Sequence, residues 1–462
     1  MEDIKSESSG NKMNMAQLNA VNKVKYALPT NLNIVERRQN KVNFADQNSY
    51  SSTSGSEVVI RLQASTDYVY GKNSYLVFDI SAITTGATGD GFGFKYNTAL
   101  SIFDRLLFED RSGAELERND SLNRYAAQVC PLHWSNEYIE TGVANAGQYN
   151  SGFVSNPTNA NDYIPNGSAT NYILNSTTVN AEAPLTVVIP MRWFSGIFNN
   201  ETLIPAMLIS GAQIRLRLAS AAQALEVVTG TAGTTLSSYR ISNPRIVLDS
   251  LSLSPVVQKN LMEQSQAGGG LDYTYETVYY QPGNPGTNGN FNLQINKAVS
   301  RCQKLYWSSR YTAVADSPTK NNLGTTICNI SQLDYRLGDM FFPQRVISVD
   351  GAVTKNGAEV YENTLQSIHR MKTNVDPPSI SKLEFLNSGV AGGVADDNNG
   401  KCVHCQSFEM SSALEYSGLA INNSRTLEAR INFDGTSNKS IDAWICYLKL
   451  AKCNQLRAII KE

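Results

Sequence analysis

Short runs in which buried-type and exposed-type residues alternate dominate this chain. Val58, Ile60 and Leu62 alternate with Val59, Arg61 and Gln63, and Ile214-Arg215-Leu216-Arg217-Leu218 alternates strictly. Residues 291–295 and 426–433 follow the same rule. Successive side chains of a strand point to opposite faces, so each run predicts a half-buried strand. Residues 75–80, 102–108, 185–190, 245–253, 273–280, 305–307 and 443–450 predict further strands from their aromatic and β-branched content. Helical signals are few. One helix is predicted from about Asp120 through Leu122, Tyr125 and Val129, with Asn119 or Asp120 as its cap. Another follows Ser254-Pro255 and runs through Val256, Val257, Leu261 and Met262 to the glycine stop at 268–270.

The order of these elements predicts two β blocks. Arg105-Leu106-Leu107, Asp110, Gly113-Ala114-Glu115-Leu116 and Asn119 in the first find an echo in the second. The echo is Arg345-Val346-Ile347, Asp350, Gly357-Ala358-Glu359-Val360 and Asn363. Each copy reads as a strand, a Gly/Asp turn and a short second strand, so the chain is expected to use one fold twice. The expected layout is an extended arm over 1–45, a first block over 46–253, a linking helix over 254–270 and a second block over 271–462. Many short strands between turns predict an all-β protein made of jelly-roll β-sandwiches with a few short helices. Two polar inserts, 141–182 and 388–401, are too poor in large apolar residues to supply core and are expected to be loops. Lys23, Lys25, Arg37, Arg38 and Lys41 make the arm mildly basic. It is either a loose tail or a segment that orders on a neighbouring subunit.

Composition narrows the function classes. A net charge of −2 over 462 residues argues against bulk binding of nucleic acid. No apolar run approaches the roughly 20 residues that span a bilayer. Met1-Glu2-Asp3-Ile4-Lys5 lacks the basic-then-apolar pattern of a secretory signal, so synthesis in the cytoplasm or nucleus is expected. Seven cysteines fit free thiols in a reducing compartment better than a disulfide framework.

Catalytic patterns are missing: no G-x-S-x-G elbow, phosphate-binding loop or H-E-x-x-H helix occurs. His133, His369 and His404 are the only histidines, and none has a recognisable catalytic partner in sequence. Cys402-Val403-His404-Cys405 has metal-like spacing, but a structural zinc site normally needs four ligands. Buried free thiols are the simpler expectation. Glu109 and Asp110, being adjacent, point to opposite faces of a strand and are read as a solvated turn. Tyr68, Tyr70, Tyr75, Tyr279 and Tyr280 lack a basic surround and are assigned to packing or subunit contacts, not to base stacking. The expectation is therefore no enzyme, no catalytic residue, no metal and no cofactor.

Four segments carry a family resemblance. They are residues 102–108 with 115–119; Ile189-Pro190-Met191-Arg192-Trp193-Phe194 with Leu203-Ile204-Pro205; the capped helix at 254–267; and Leu414-Glu415-Tyr416-Ser417-Gly418. In pattern and order, from about residue 45 to 462, the chain resembles the double jelly-roll major capsid proteins of DNA viruses. It is most similar to those of polinton-like viruses, virophages and their relatives. The resemblance implies two tandem eight-stranded jelly-roll β-sandwiches. It also implies homotrimeric, pseudo-hexameric capsomers tiling an icosahedral shell, with penton and minor capsid proteins as partners and no sequence-specific nucleic-acid binding. The chain would reside in the virion capsid after synthesis in the host cytoplasm or nucleus. A receptor- or glycan-binding β-sandwich, such as a viral fibre, is the alternative of a different class.

Overall fold

A computed structural model describes residues 34–63, 65–84, 91–95, 98–134, 153–156, 159–165, 173–176, 184–229, 236–267, 270–287, 289–312, 323–349, 357–369, 380–386, 400–409, 418–422, 425–434, 437–453 and 458–461. Eight strands build a first sandwich: β1 (Ile34–Phe44), β2 (Glu57–Arg61), β3 (Tyr75–Thr84), β4 (Phe103–Glu109), β5 (Glu115–Asn119), β6 (Leu185–Pro190), β7 (Gln213–Leu218) and β8 (Leu236–Leu253). One sheet has the order β1-β8-β3-β6 and the sheet facing it β2-β7-β4-β5, with every one of these pairs antiparallel.

Eight more build the second sandwich: β9 (Leu271–Gly286), β10 (Gly289–Ile295), β11 (Val299–Tyr311), β12 (Ile330–Leu337), β13 (Met340–Ser348), β14 (His404–Ser407), β15 (Leu427–Phe433) and β16 (Lys439–Cys453). Their orders are β9-β16-β11-β14 and β10-β15-β12-β13. Adding eight to each strand number of the first sandwich reproduces the second. The jelly-roll connection is used twice, and this strand order is the strongest sign of the duplication. Short strands at Gly91–Phe94, Ile173–Ser176 and Leu225–Thr229 widen the first sandwich, and β17 (Ala458–Lys461) flanks β16.

The alternation seen in sequence sets which face of each strand is buried. Strand β7 alternates half-buried and buried along its whole length, and β15 alternates the same way. Leu76, Phe78 and Ile80 of β3 meet Leu106 and Phe108 of β4 and Ile214 and Leu216 of β7 in the first core. In the second, Trp307 of β11 packs with Leu333, Ile431 and Ile445, and its Nε1–H donates to the Tyr335 hydroxyl at 2.8 Å. That bond satisfies two polar groups that would otherwise be costly to bury.

Four expectations change. Residues 34–44, assigned to the arm, form β1, hydrogen-bonded to β8 from Ile34↔Leu253 to Phe44↔Arg245. The basic residue Arg37 has a structural reason to be there: it bonds the Asp249 carboxylate of β8 at 3.0 and 2.5 Å. The insert at 141–182 is not all loop, since Phe153–Asn156 pairs with Asn159–Pro165, and Ile173–Ser176 runs parallel to β3. The cap of α1 (Leu122–Gln128) is Ser121, while Asn119 Oδ1 accepts from the Ser121 N–H at 3.1 Å.

The fourth change concerns the repeated motif, whose two copies are not equivalent. Arg345-Val346-Ile347 lies on β13, the counterpart of β5, whereas Arg105-Leu106-Leu107 lies on β4. The true match to the β4–β5 turn at Gly113 (φ 84) is the β12–β13 turn at Gly338 (φ 59). Gly357 and the residues after it begin a helix, not a strand. Val360, Thr364 and Ser367 are buried at helical spacing. A three-residue alternation fits any half-buried strand, so the motif found the right fold in the wrong register. Residues 1–33, Gly268, Gly269, Asp350, nearly all of the 388–401 insert and residues 414–417 lie outside the described residues.

Candidate functional site: the seam between the sandwiches

The helical segment after β5 leaves the first sandwich and lies on the outer face of β9-β16-β11-β14. It comprises α1 and α2 (Cys130–His133). Val129 and Leu132, both fully buried, pack in the core of the second sandwich. The Tyr125 ring sits 5.9 Å from that of Trp444, and His133 Nε2 lies 3.0 Å from the Tyr306 hydroxyl. Gln128 donates to the Leu323 carbonyl at 2.9 Å and accepts from the Ser308 hydroxyl at 2.5 Å. The exchange is reciprocal. Tyr273, Tyr275, Ala451 and Cys453 of the second sandwich pack in the core of the first. The Tyr275 and Tyr273 hydroxyls donate to the Leu116 and Ile197 carbonyls at 2.6 and 2.8 Å. The two sandwiches thus share side chains in both directions, which holds them as one body.

Two charged clusters lie in this seam. Asp442 of β16 is fully buried and accepts from Arg124 Nη1 at 2.8 Å, Arg310 Nε at 3.2 Å and the Tyr280 hydroxyl at 2.7 Å. Burial alone pushes this carboxyl up, but the two guanidiniums and the hydroxyl outweigh it and hold it below the usual range. Glu117 of β5 accepts from the Ser195 hydroxyl at 2.5 Å and the Gly196 N–H at 2.8 Å. There burial wins over those bonds and over the Lys449 charge, and the carboxyl is pushed up to about 7. Gly196 is required where it stands: a Cβ on it would fall 1.6 Å from the Glu276 carbonyl oxygen of β9.

Glu117 gives a pH signature. Its folded pKa of about 7 exceeds the ordinary 4.5, so between those values the folded chain holds a proton that the unfolded chain has lost. Stability therefore falls as pH rises from about 4.5 to about 7 and levels off above. Glu117→Gln, which keeps both partners within bonding reach, should remove this slope and be more stable than the native chain at pH 8 by about 1–3 kcal/mol. Urea denaturation at pH 5 and pH 8 checks it; an unchanged slope in the variant would contradict the assignment.

The chemistry sought in sequence is not assembled here. A cleft of about 610 Å³ opens beside the seam, lined by His133, Trp134, Arg192, Trp193, Glu276 and Lys304 among others. Glu276 is the only carboxylate lining it among the described residues. Ser195 and Glu117 are each 3% exposed, so their hydrogen bond is sealed from any substrate. His369 is on the surface beside Glu409 at 2.9 Å. His404 is buried, stacked 4.0 Å from Trp307, and 3.4 Å from Cys402 Sγ. Burial pulls its pKa down to about 3 and pushes the Cys405 thiol up to about 12, which favours neutral imidazole and protonated thiol. Cys405 neighbours Tyr306 on the outer side of β14, away from the inward-facing Cys402 and His404. All seven cysteines are buried free thiols, and the described residues hold no group of three metal-type side chains.

Asp110 differs from expectation: it is 6% exposed, not solvated. Its Oδ1 accepts from the Ser112 and Ala114 N–H groups at 2.7 and 2.8 Å and shapes the β4–β5 turn. Glu109 bridges to Arg215 at 3.1 Å. Tyr280 belongs to the seam, whereas Tyr75 lies on the outer face of β3, unlike the inward-facing Leu76. Sequence reading missed Glu117, Arg124, Ser195, Gly196 and Asp442. Their partners lie 78 to 318 positions away, so no local pattern marks them.

No protein-family model matches this sequence, and no curated protein does. Solved structures do. A chain of the Sputnik virophage structure matches with a TM-score of 0.57 at 11% identity, covering 100% of this chain and 93% of that one. The capsid model of the virus PBCV-1 matches at 0.56 and 12% identity, covering 95% and 99%. The Faustovirus major capsid protein matches at 0.55 and 8% identity, covering 96% and 94%. The chain has the double jelly-roll fold. Because these matches run nearly end to end in both partners, the double jelly roll is shared as a pair, not as one barrel matched twice. At such low identity the likeness resides in strand order and not in particular side chains. No helix of the described residues is long and apolar enough to cross a membrane.

Proposed function

We propose that this chain is a major capsid protein whose work is self-association. The observation that carries the reading is the end-to-end match of the double jelly roll to viral capsid chains. The sealed polar groups of the seam support it, since they build a rigid two-barrel unit and no reaction centre. Three copies would place six sandwiches in one pseudo-hexameric capsomer, and capsomers would tile an icosahedral shell with penton and minor capsid proteins. Such association draws on large buried interfaces, not a pocket. Low net charge suits close packing of identical subunits and leaves packaged DNA to be neutralised by other cations.

One feature favours the second reading, a glycan- or receptor-binding protein. The outer face of β10-β15-β12-β13 carries a cleft of about 300 Å³ lined by Asn290, Asn292, Gln332, Asp334, Arg430 and Asn432. Light scattering of the purified chain separates the two. A mass of about three times the 50.6 kDa chain is expected. A monomer at every concentration, with binding on a glycan array, would replace the capsid reading by the second.

A further inference from the structure

The cleft of about 610 Å³ beside the seam draws its walls from both sandwiches, and its charges are unevenly placed. Lys72, in the turn before β3, and Arg192, in the turn after β6, come from the first sandwich. Lys304 of β11 comes from the second. Three cations therefore line a cleft whose only carboxylate among the described residues is Glu276. Trp134 and Trp193, with ring centres 5.2 Å apart, give it an apolar wall. Such a wall lowers the local dielectric and strengthens each charge beside it.

The fold does not use these cations up. Arg192 is exposed and forms no ion pair among the described residues. Lys72 meets Glu201, whose side chain is 76% exposed, and an ion pair so open to water contributes little and exchanges readily. Lys304 stands 3.6 Å from Glu409, beyond hydrogen-bonding distance. The Tyr125 hydroxyl, in the same cleft, has no hydrogen-bond partner among the described residues. A second cleft of about 430 Å³ continues from the first past Asn199 and Glu276, which line both. Gln303 lies in that second cleft, almost fully buried, with its Oε1 unpartnered. Free donors thus gather in the first cleft and a free acceptor in the second.

We infer that the first cleft binds a small polyvalent oxyanion, a polyphosphate or a polycarboxylate, between the two sandwiches. The planar fork of Arg192 matches two oxygens at once, Lys72 and Lys304 neutralise charge from opposite walls, and the Tyr125 hydroxyl donates to a further oxygen. A cleft of about 610 Å³ is of the size that holds small-molecule ligands. Glu276 repels the anion from the second cleft and confines it to the end bearing Lys72 and Arg192. Because the cations belong to both sandwiches, the bound anion fastens one to the other and stabilises the folded chain according to its occupancy. The site is complete within one chain and does not depend on self-association.

Titration calorimetry of the full-length chain with sodium tripolyphosphate, and separately with citrate at the same ionic strength, tests this. One saturable site per chain is expected, with the unfolding midpoint raised by whichever anion binds; the tighter of the two probes separates phosphate from carboxylate chemistry. Arg192→Ala should weaken binding about 10-fold or more, and Glu276→Gln should tighten it about threefold. Lys259→Ala, which removes a cation of the linking helix outside the cleft, should leave binding unchanged. Far-ultraviolet spectra check that each variant is folded. Should Arg192→Ala fail to fold, Lys72→Ala takes its place with the same expected loss. Saturable binding of neither probe, undiminished binding by the folded cleft variant, or equal weakening by Lys259→Ala would overturn the inference and leave the capsid reading standing.

Discussion

Replacing Gly196 with Val should unfold the seam. The new Cβ would sit 1.6 Å from the Glu276 carbonyl oxygen and 2.7 Å from its carbon, and both are backbone atoms that cannot rotate away. Either β9 or the segment bearing Ser195 must move, breaking the Glu117 hydrogen bonds on the way. A loss of at least about 3 kcal/mol is expected, at the upper end of overpacking penalties. Gly55→Ala provides the contrast. Its φ of +56 carries backbone strain, but its Cβ would meet nothing within 4 Å, so about 1 kcal/mol is expected. Urea midpoints of the two variants measure the difference; equal losses would show that the seam yields more easily than its geometry implies.

Asp442→Ala should be comparably severe. It leaves Arg124 and Arg310, 20% and 16% exposed, facing each other without their shared anion. Removing one member of such a buried pair typically costs about 3–5 kcal/mol, since the remaining charge stays desolvated. Arg124→Ala alone should cost less, because Arg310 and Tyr280 still hold the carboxylate. Combining the two should cost less than the sum of the single losses. The carboxyl also has its own pH window. Its folded value lies below the ordinary 3.8, so its contribution is complete above that value and disappears as pH falls through the folded pKa. Asp442 thus weakens the protein on the acid side, whereas Glu117 weakens it toward neutrality. Full additivity of the double-mutant cycle would mean that Arg124 and Asp442 are not coupled across the seam.

Much of the fold was legible because it depends on local alternation. Strands such as β7 and β15 announce their buried face in five to seven residues, and Ser254-Pro255 marks the start of the linking helix, where the Val257 N–H points to Ser254 Oγ at 3.5 Å. Register between distant segments was not legible. The repeated Arg-Val-Ile pattern matched β13 to β4 when its true counterpart is β5, since alternation carries no information about which strand is its neighbour. β1 was missed because Arg37, which reads in sequence as part of a basic tail, finds its anion in Asp249 of β8, some 200 positions later. The seam was invisible for the same reason. Glu117 and Asp442 look like ordinary surface acids until the fold buries them. The Cys402–Cys405 cluster shows the reverse: a suggestive spacing that a strand splits between two faces.

Two sandwiches per chain should become six per capsomer. Electron-microscope images of the purified full-length chain address it most directly. Particles with a near-hexagonal outline and six lobes are expected, each made of three chains, some of them joined into sheets or closed shells. Two-lobed particles alone, at every concentration and ionic strength tried, would contradict it.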